Sequence, residues 1–298
     1  MAQCKDIDPT GGGDFTTQAA AWIWAQSQPK DHYTFWLHGG GDLGGLYMYP
    51  ADLPWATDED DCFLWAAAAG QSPYHVESGW FQTGFRTEVD YTQVRGLRIS
   101  GSGGVYFVAI DLGGACCIVD RCWLEAGTGN LSTASLVYGA NAGVVNSVVV
   151  GAPNTTALSG NNGGIFFDHC TIVRCKNGVR EGQSGAVTAR NCVVCAGPGG
   201  FPGTDFGAGV VTVTCASGDD SGDITDIDTD AFVDFDGGDY RPAAGGALHN
   251  AGTEIAGIET DILGNPRVSG GTPDIGAIEL QETVVAAARA AMMMGGAF

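Results

Sequence analysis

The chain has 298 residues and carries 13 basic against 34 acidic side chains, a net charge of −21, which repels nucleic acid and anionic membrane surfaces and excludes both as expected partners. Its 48 glycines and 44% apolar content, without a Gly-X-Y triplet, point to many tight turns rather than to collagen or disorder. The ten cysteines are spread along the whole chain instead of being packed into a small secreted domain, so a disulfide scaffold is not expected.

Residues 5–29 run through a Gly-rich turn at 11–13, Asp14-Phe15, the pair Thr16-Thr17 and an Ala- and Trp-rich run that Pro29 ends. Thr16 or Thr17 can cap a helix over 18–27, with Ala19, Trp22, Ile23 and Gln26 on one face. This opening resembles that of the right-handed parallel β-helix proteins, the pectate-lyase-like superfamily. The resemblance implies a short helix that plugs the open end of a solenoid. The same role follows from physics, because a bare end coil shows unpaired strand edges and apolar side chains to water.

Residues 33–37 and 46–49 read as strands around a Gly-rich loop at 39–45. Five of the seven tryptophans, Trp22, Trp24, Trp36, Trp55 and Trp65, lie before residue 66. Such rings serve sugar stacking or the packing of a wide solenoid end, and packing is the commoner use. The acidic run 57–61 lacks the alternating oxygen ligands of a cation loop and reads as a surface turn.

From Val94 onward an apolar-x-x-small-x-apolar pattern returns as Val94/Leu97/Ile99, Val119/Cys122/Leu124, Val145/Val148/Val150, Phe167/Cys170/Ile172 and Ala189/Cys192/Val194. The central positions step by 25, 26, 22 and 22, and Cys215 follows 23 further on. A period of 20–29 residues marks stacked coils, none of which can bury its own apolar face. The expected fold is therefore all-β, a right-handed single-stranded parallel β-helix with an N-terminal capping helix and an irregular C-terminal cap. Residues 1–90 form the cap and first irregular coils, 91–217 the regular coils, 218–280 the C-terminal coils and cap, and 281–298 an apolar tail. Leu97, Cys122, Val148, Cys170 and Cys192 should share one inward column, the thiols acting as small, reduced hydrophobes.

After Cys215 come Phe232-Val-Asp234, Asp239-Tyr-Arg241, Asn250-Ala-Gly252, Asp261-Ile-Leu-Gly-Asn-Pro-Arg267 and Asp274-Ile-Gly-Ala-Ile-Glu279. In this order they resemble the C-terminal signature of many bacterial and phage β-helix proteins, a signature that speaks for the fold and not for an activity. Arg267 with Asp274 or Glu279 is suited to closing the last coil through charge-assisted bonds, and 274–279 reads as the closing strand. Residues 284–298 are apolar except for Arg289, too few to span a bilayer, which takes ~20. They should be helical over about 282–294 and covered by the chain's own body or by a partner, with Val284, Val285, Met292, Met293, Met294 and Phe298 as docking residues.

The superfamily resemblance makes a polysaccharide lyase or hydrolase the enzyme hypothesis. A lyase needs an exposed base, commonly Arg, and carboxylates for Ca²⁺; a hydrolase needs paired carboxylates. The one stack of suitable types is Asp120, Asn146, Asp168 and Arg190, with His169 beside it. Two rungs of about 4.8 Å would set Asp120 and Asp168 roughly 9–10 Å apart. Outward ladder positions also take Asn, Asp and Arg simply to hydrogen-bond along the stack, and that is the preferred reading. No nucleophile elbow, zinc-binding His pair, phosphate loop or dinucleotide fingerprint occurs, Cys192 and Cys195 form the only C-x-x-C, and no cofactor or metal is expected. Residues 1–6 lack the charged-then-apolar pattern of a secretory signal. The expected function is a non-enzymatic structural protein of a phage particle, a capsid decoration or appendage subunit in the virion, bound to other virion proteins such as a major capsid or tail protein. The alternative is a polysaccharide lyase, hydrolase or sugar-binding tailspike, secreted or at the cell surface, with Asp120, Asp168, His169 and Arg190 as its catalytic set. A bacterial surface adhesin is the third reading. A homo-oligomer and a host polysaccharide complete the candidate partners.

Overall fold

The computed structural model describes residues 3–8, 11–38, 46–48, 53, 57, 62–67, 74–77, 81–102, 106–125, 131–137, 140–151, 155–160, 164–181, 187–197 and 203–281. Short parallel strands stack into three sheets. The first has nine strands, Gln3–Ile7, Tyr33–Leu37, Phe63–Ala67, Thr92–Arg95, Ile118–Asp120, Gly143–Val145, Ile165–Asp168, Val187–Arg190 and Val210–Val213, each beside the next in this order. The second has seven, from Tyr74–Glu77 to Ala216–Ser217, and the third six, from Leu46–Met48 to Asn177–Glu181. The chain visits the sheets in rotation, so strand neighbours are one coil apart in sequence. The fold is a parallel β-helix.

The ladders fix which residues share a column. Trp123 pairs with Val148, Val148 with Thr171 and Thr171 with Val193, so the inward column is Leu97, Cys122, Ser147, Cys170, Cys192 and Cys215. The expected Val148 is one residue out of register. That coil presents Val144/Ser147/Val149, and the steps become 25, 25, 23, 22 and 23. Val148 is buried all the same, on the other face of its strand, in a second apolar cluster with Val173, Val193, Phe232 and Tyr240. Where both faces of a sheet are covered, the alternation that would set the register disappears.

All ten cysteines are free thiols. Those of the column reach a carbonyl of the preceding coil: Cys122 to Val94 at 3.7 Å, Cys170 to Val144 at 3.5 Å, Cys192 to Phe167 at 3.2 Å and Cys215 to Ala189 at 3.2 Å. Burial pushes the Cys122 thiol up to about 12, so it remains S–H and can act as a weak donor while filling the volume of a small hydrophobe.

The helix α1 spans Gln18–Gln26, and the Thr17 hydroxyl accepts the Ala20 amide at 3.1 Å, an N-cap bond. Its buried face is Gln18, Ala21, Trp22 and Ala25, spaced i, i+3, i+4, i+7. The expected face through Ala19 and Ile23 is corrected, since Ile23 is 65% exposed. Trp22 meets Phe63 edge-on with centroids 5.3 Å apart, Trp24 meets Tyr33 at 5.8 Å and Trp65 stacks on Phe35 at 4.3 Å. These tryptophans pack the N-terminal coils. Trp55 and most of the loops at 39–45 and 57–61 lie outside the described residues.

Beyond Ser217 the regular coils stop. A short turn of 3-10 helix, Thr229–Ala231, leads into an antiparallel pair, Phe232–Asp234 with Asp239–Pro242, and Tyr240 stacks on Trp123 at 5.8 Å. Residues 248–280 then run back over the corner between the first and second sheets. Residues 274–279, expected as a closing strand, join no ladder; they form a buried run held by single backbone bonds to Leu248, Asn191 and Ile262 and by side-chain bonds. The tail, with Val284, Val285, Met292, Met293, Met294 and Phe298, lies outside the described residues. Among those described, no helix is long and apolar enough to cross a membrane.

Candidate functional site

Arg95, Asp120, Val145, Asp168, Arg190 and Val213 stand in register on the first sheet. Asn146, expected in this stack, belongs to the next column. That column is Gly96, Arg121, Asn146, His169, Asn191 and Thr214, and every member has a positive φ, between 47° and 67°. These residues turn the chain from the first sheet to the second. Asn tolerates this left-handed conformation better than most side chains, because its short amide bonds to nearby backbone; His169 and Arg121 hold it through the bonds below.

Asp168 and Arg190 form a two-pronged pair. Arg190 Nε lies 2.7 Å from one carboxylate oxygen and its Nη2 bonds the other. Burial pushes the Asp168 carboxyl up while Arg190 opposes that shift. Asp120 forms its own group, with Arg95 Nε at 3.0 Å, Arg121 Nε at 3.2 Å and Asn146 Nδ2 at 3.5 Å. His169 is fully buried, with Nε2 3.1 Å from Asn191 Nδ2. Desolvation, and then the Arg267 charge, hold its pKa down at about 3, so the buried ring is neutral near pH 7.

What covers His169 is the chain's own C-terminal segment. Asn191 Nδ2 donates to Thr253 O at 2.6 Å, Thr253 N returns a bond to Asn191 Oδ1 at 2.9 Å, Gly276 N donates to Asn191 O at 2.8 Å and Ala277 N to Thr171 Oγ1 at 2.8 Å. Arg267 is buried at the centre. It donates to Asn146 Oδ1, to Gly276 O at 2.9 Å and to Ala277 O at 3.1 Å, with the Glu279 carboxylate 3.9 Å away. Asp274 makes no bond to Arg267. It accepts the amides of Asn250 at 2.6 Å and Leu280 at 2.7 Å. Asp261 accepts those of Leu263, Asn265 and Glu279 at 2.8–3.0 Å, and Glu279 those of Ser269 and Asp274 at 2.9–3.0 Å. Burial raises the Asp274 carboxyl and takes Glu279 up to about 7.

The four residues proposed as a catalytic set therefore divide. Asp168 and Arg190 bind each other, His169 lies beneath the segment, and Asp120 alone lines an open polar groove. That groove, about 420 Å³, runs between Arg95, Asp120, Arg121 and Asn146 on the coils and 257–260 on the segment. A second, acidic groove of about 380 Å³ is lined by Asp205, Asp219, Asp226 and Asp228. Burial and Asp219 push Asp205 up to about 6, yet its carboxylate accepts the Gly218 amide at 2.8 Å. Among the described residues no group of three His, Cys, Asp or Glu is placed to hold a metal ion. Asn191 and Asp261 did not emerge from the sequence as site residues, and Arg267 emerged only as a partner of nearby acids; no local spacing links 267 to 146.

No family model matches the chain, and no curated protein matches it. Among solved structures it is similar to the crystal structure of pectate lyase Pel9A, at 13% identity and a TM-score of 0.40, over 94% of this chain and 96% of that one. The assignment as a parallel β-helix rests on the ladder registers themselves.

Proposed function

We propose that the protein is a non-enzymatic structural rod, a β-helical subunit of a larger particle. The observation that carries this reading is the C-terminal segment lying over the corner column beside the one stack with catalytic residue types: His169 is buried there, and Asp168 is taken up by Arg190 of the next coil. Assembly is supported by the last strand of the first sheet, Val210–Val213. Among the described residues it has a ladder partner on one side only, and it turns Val211 and Val213 outward at 52% and 42% exposure. An open edge with adjacent exposed valines is a surface that another chain can extend. The particle we infer is a phage virion, with the rod as capsid decoration or appendage. Mass spectrometry of purified particles should find the chain at a fixed copy number; its absence would remove the virion reading.

A second reading has its own observation, the open groove with Asp120, Arg95 and Arg121, which suits a polyhydroxylated ligand. Release of reducing or unsaturated ends from a capsule polysaccharide, abolished by Asp120→Ala, would establish the enzyme in place of the rod.

A further inference from the structure

We infer that the open edge at Val210–Val213 receives an extended segment of a partner protein in which apolar residues alternate with Lys or Arg. The inference rests on the reading of the chain as an assembling rod and names the chemistry of what it assembles with. Asn191 N donates to Val213 O at 3.0 Å, so the N–H and C=O of Val213 face the preceding coil and, by alternation along the strand, those of Thr212 face away from it. Among the described residues nothing bonds that outward pair, and a strand laid alongside satisfies both at once. Side chains of such a strand fall alternately on two faces. One face meets Val211 and Val213, both exposed, and calls for apolar residues. On the Thr212 side of the edge the charges are negative. Asp223 Oδ1 accepts the Thr212 hydroxyl at 3.3 Å. At the start of the strand the Glu181 side chain lies against Gly207 and Gly209, so closely that an added Cβ would come within 2.1 Å of its Oε2 at the first and 2.7 Å of its Cγ at the second. Glu181 Oε2 is buried there without a hydrogen-bond partner, an acceptor that a cationic side chain suits. A second copy of the chain suits the edge badly. Two such edges would meet carboxylate to carboxylate on chains of net charge −21, which repel. The opposite edge of the sheet, Gln3–Ile7, is already closed, because Phe15 N donates to Asp6 O at 3.0 Å and Asp6 N to Asp14 Oδ2 at 3.0 Å.

The test adds a fluorescein-labelled peptide of alternating valine and lysine to the full chain and reads anisotropy together with hydrogen exchange. Binding should be saturable, and at saturation the Thr212 amide should exchange about tenfold more slowly. Thr212→Pro removes the outward N–H at an edge position, where proline is tolerated, and Val211→Lys changes an exposed side chain. Each should abolish the protection while the circular dichroism of the coils is unchanged. Glu181→Gln should weaken binding about threefold and lessen its dependence on salt. A peptide of alternating valine and glutamate should not bind. Absence of binding, protection that survives both edge variants, or equal binding of the glutamate peptide would each overturn the assignment. So would self-association in sedimentation that Val211→Lys removes, since the edge would then belong to a second copy. No particle enters these measurements, so their failure and the failure of the virion reading are told apart.

Discussion

The regular coils and the C-terminal segment bury their polar groups by opposite means. In the coils each strand meets its equivalent one coil away, and the inward column need only supply modest apolar volume, so it holds one Leu, one Ser and four Cys. Residues 248–280 contribute no strand to any ladder. The amides of Leu263, Asn265, Ser269, Asp274, Glu279 and Leu280 are taken instead by Asp261, Asp274 and Glu279, around one arginine. Stability spread over equivalent contacts tolerates local change. Concentrated in four buried ionisable side chains, it does not, because a partly satisfied polar network is worse than an apolar one.

The sharpest way to break this contrast is Arg267→Ala. It leaves buried carboxylates without their counter-charge and should cost about 3–5 kcal/mol, felt in the segment while the coils stay folded. Hydrogen exchange would show amides at 248–280 opening with the coil amides still protected; a uniform loss of protection would mean that segment and coils form one cooperative unit. Next is Cys170→Asp, which places an unpaired charge among the coils and should cost roughly 3 kcal/mol. Here the denaturation midpoint of the coils themselves should fall, and an unchanged midpoint would mean that residue 170 reaches water.

The pH dependence sharpens the comparison further. His169 has a folded pKa near 3 against an ordinary 6.5. Its contribution is therefore complete above about pH 6.5 and is lost as pH falls towards 3, by at most about 1.4 kcal/mol per pH unit. Glu279 acts in the opposite sense. With a folded pKa near 7 against 4.5, it favours folding at low pH and loses that contribution as pH rises from 4.5 through 7. Below pH 4.5 only the histidine effect remains between these two. His169→Asn, which its left-handed column accommodates at 146 and 191, should flatten the decline below pH 4.5. Equal slopes in urea midpoints measured at pH 3.5 and 4.5 for both chains would show that His169 is not the group being protonated. The smallest expected effect is Ser147→Cys, under about 1 kcal/mol. The new thiol should stay unlabelled by a bulky reagent in the native chain, whereas rapid labelling would return the column to Val148.

Much of the fold was legible because coil spacing repeats. Steps of 22 to 26 residues need no knowledge of distant contacts, and Thr17, Pro29 and the Gly clusters mark boundaries through local backbone preference. What failed did so where a second layer intervened. Val148 looked like an inward residue because the segment around Phe232 and Tyr240 covers the outer face of its strand. Likewise Gln18, not Ala19, faces the core in α1, a polar residue where a helical pattern calls for an apolar one. At the site, the pairing of Asp168 with Arg190 follows from the register and could be read. The burial of His169 could not, because it depends on Arg267, Thr253 and Gly276, whose positions no periodicity predicts.

The bond from Arg267 to Asn146 joins residues 121 positions apart, whereas coil neighbours lie 22 to 25 apart. On a ribosome, coils can therefore stack one upon another as they emerge, each new strand finding its template already in place. The corner at Asn146, His169 and Asn191 must wait. At about 5–20 residues per second, some ten seconds separate the synthesis of Asn146 from that of Arg267, and throughout that interval the column faces water. Its polar side chains suit that interval, since an apolar row would offer the nascent rod a surface on which to aggregate. The buckle thus closes last, on a rod that is already built.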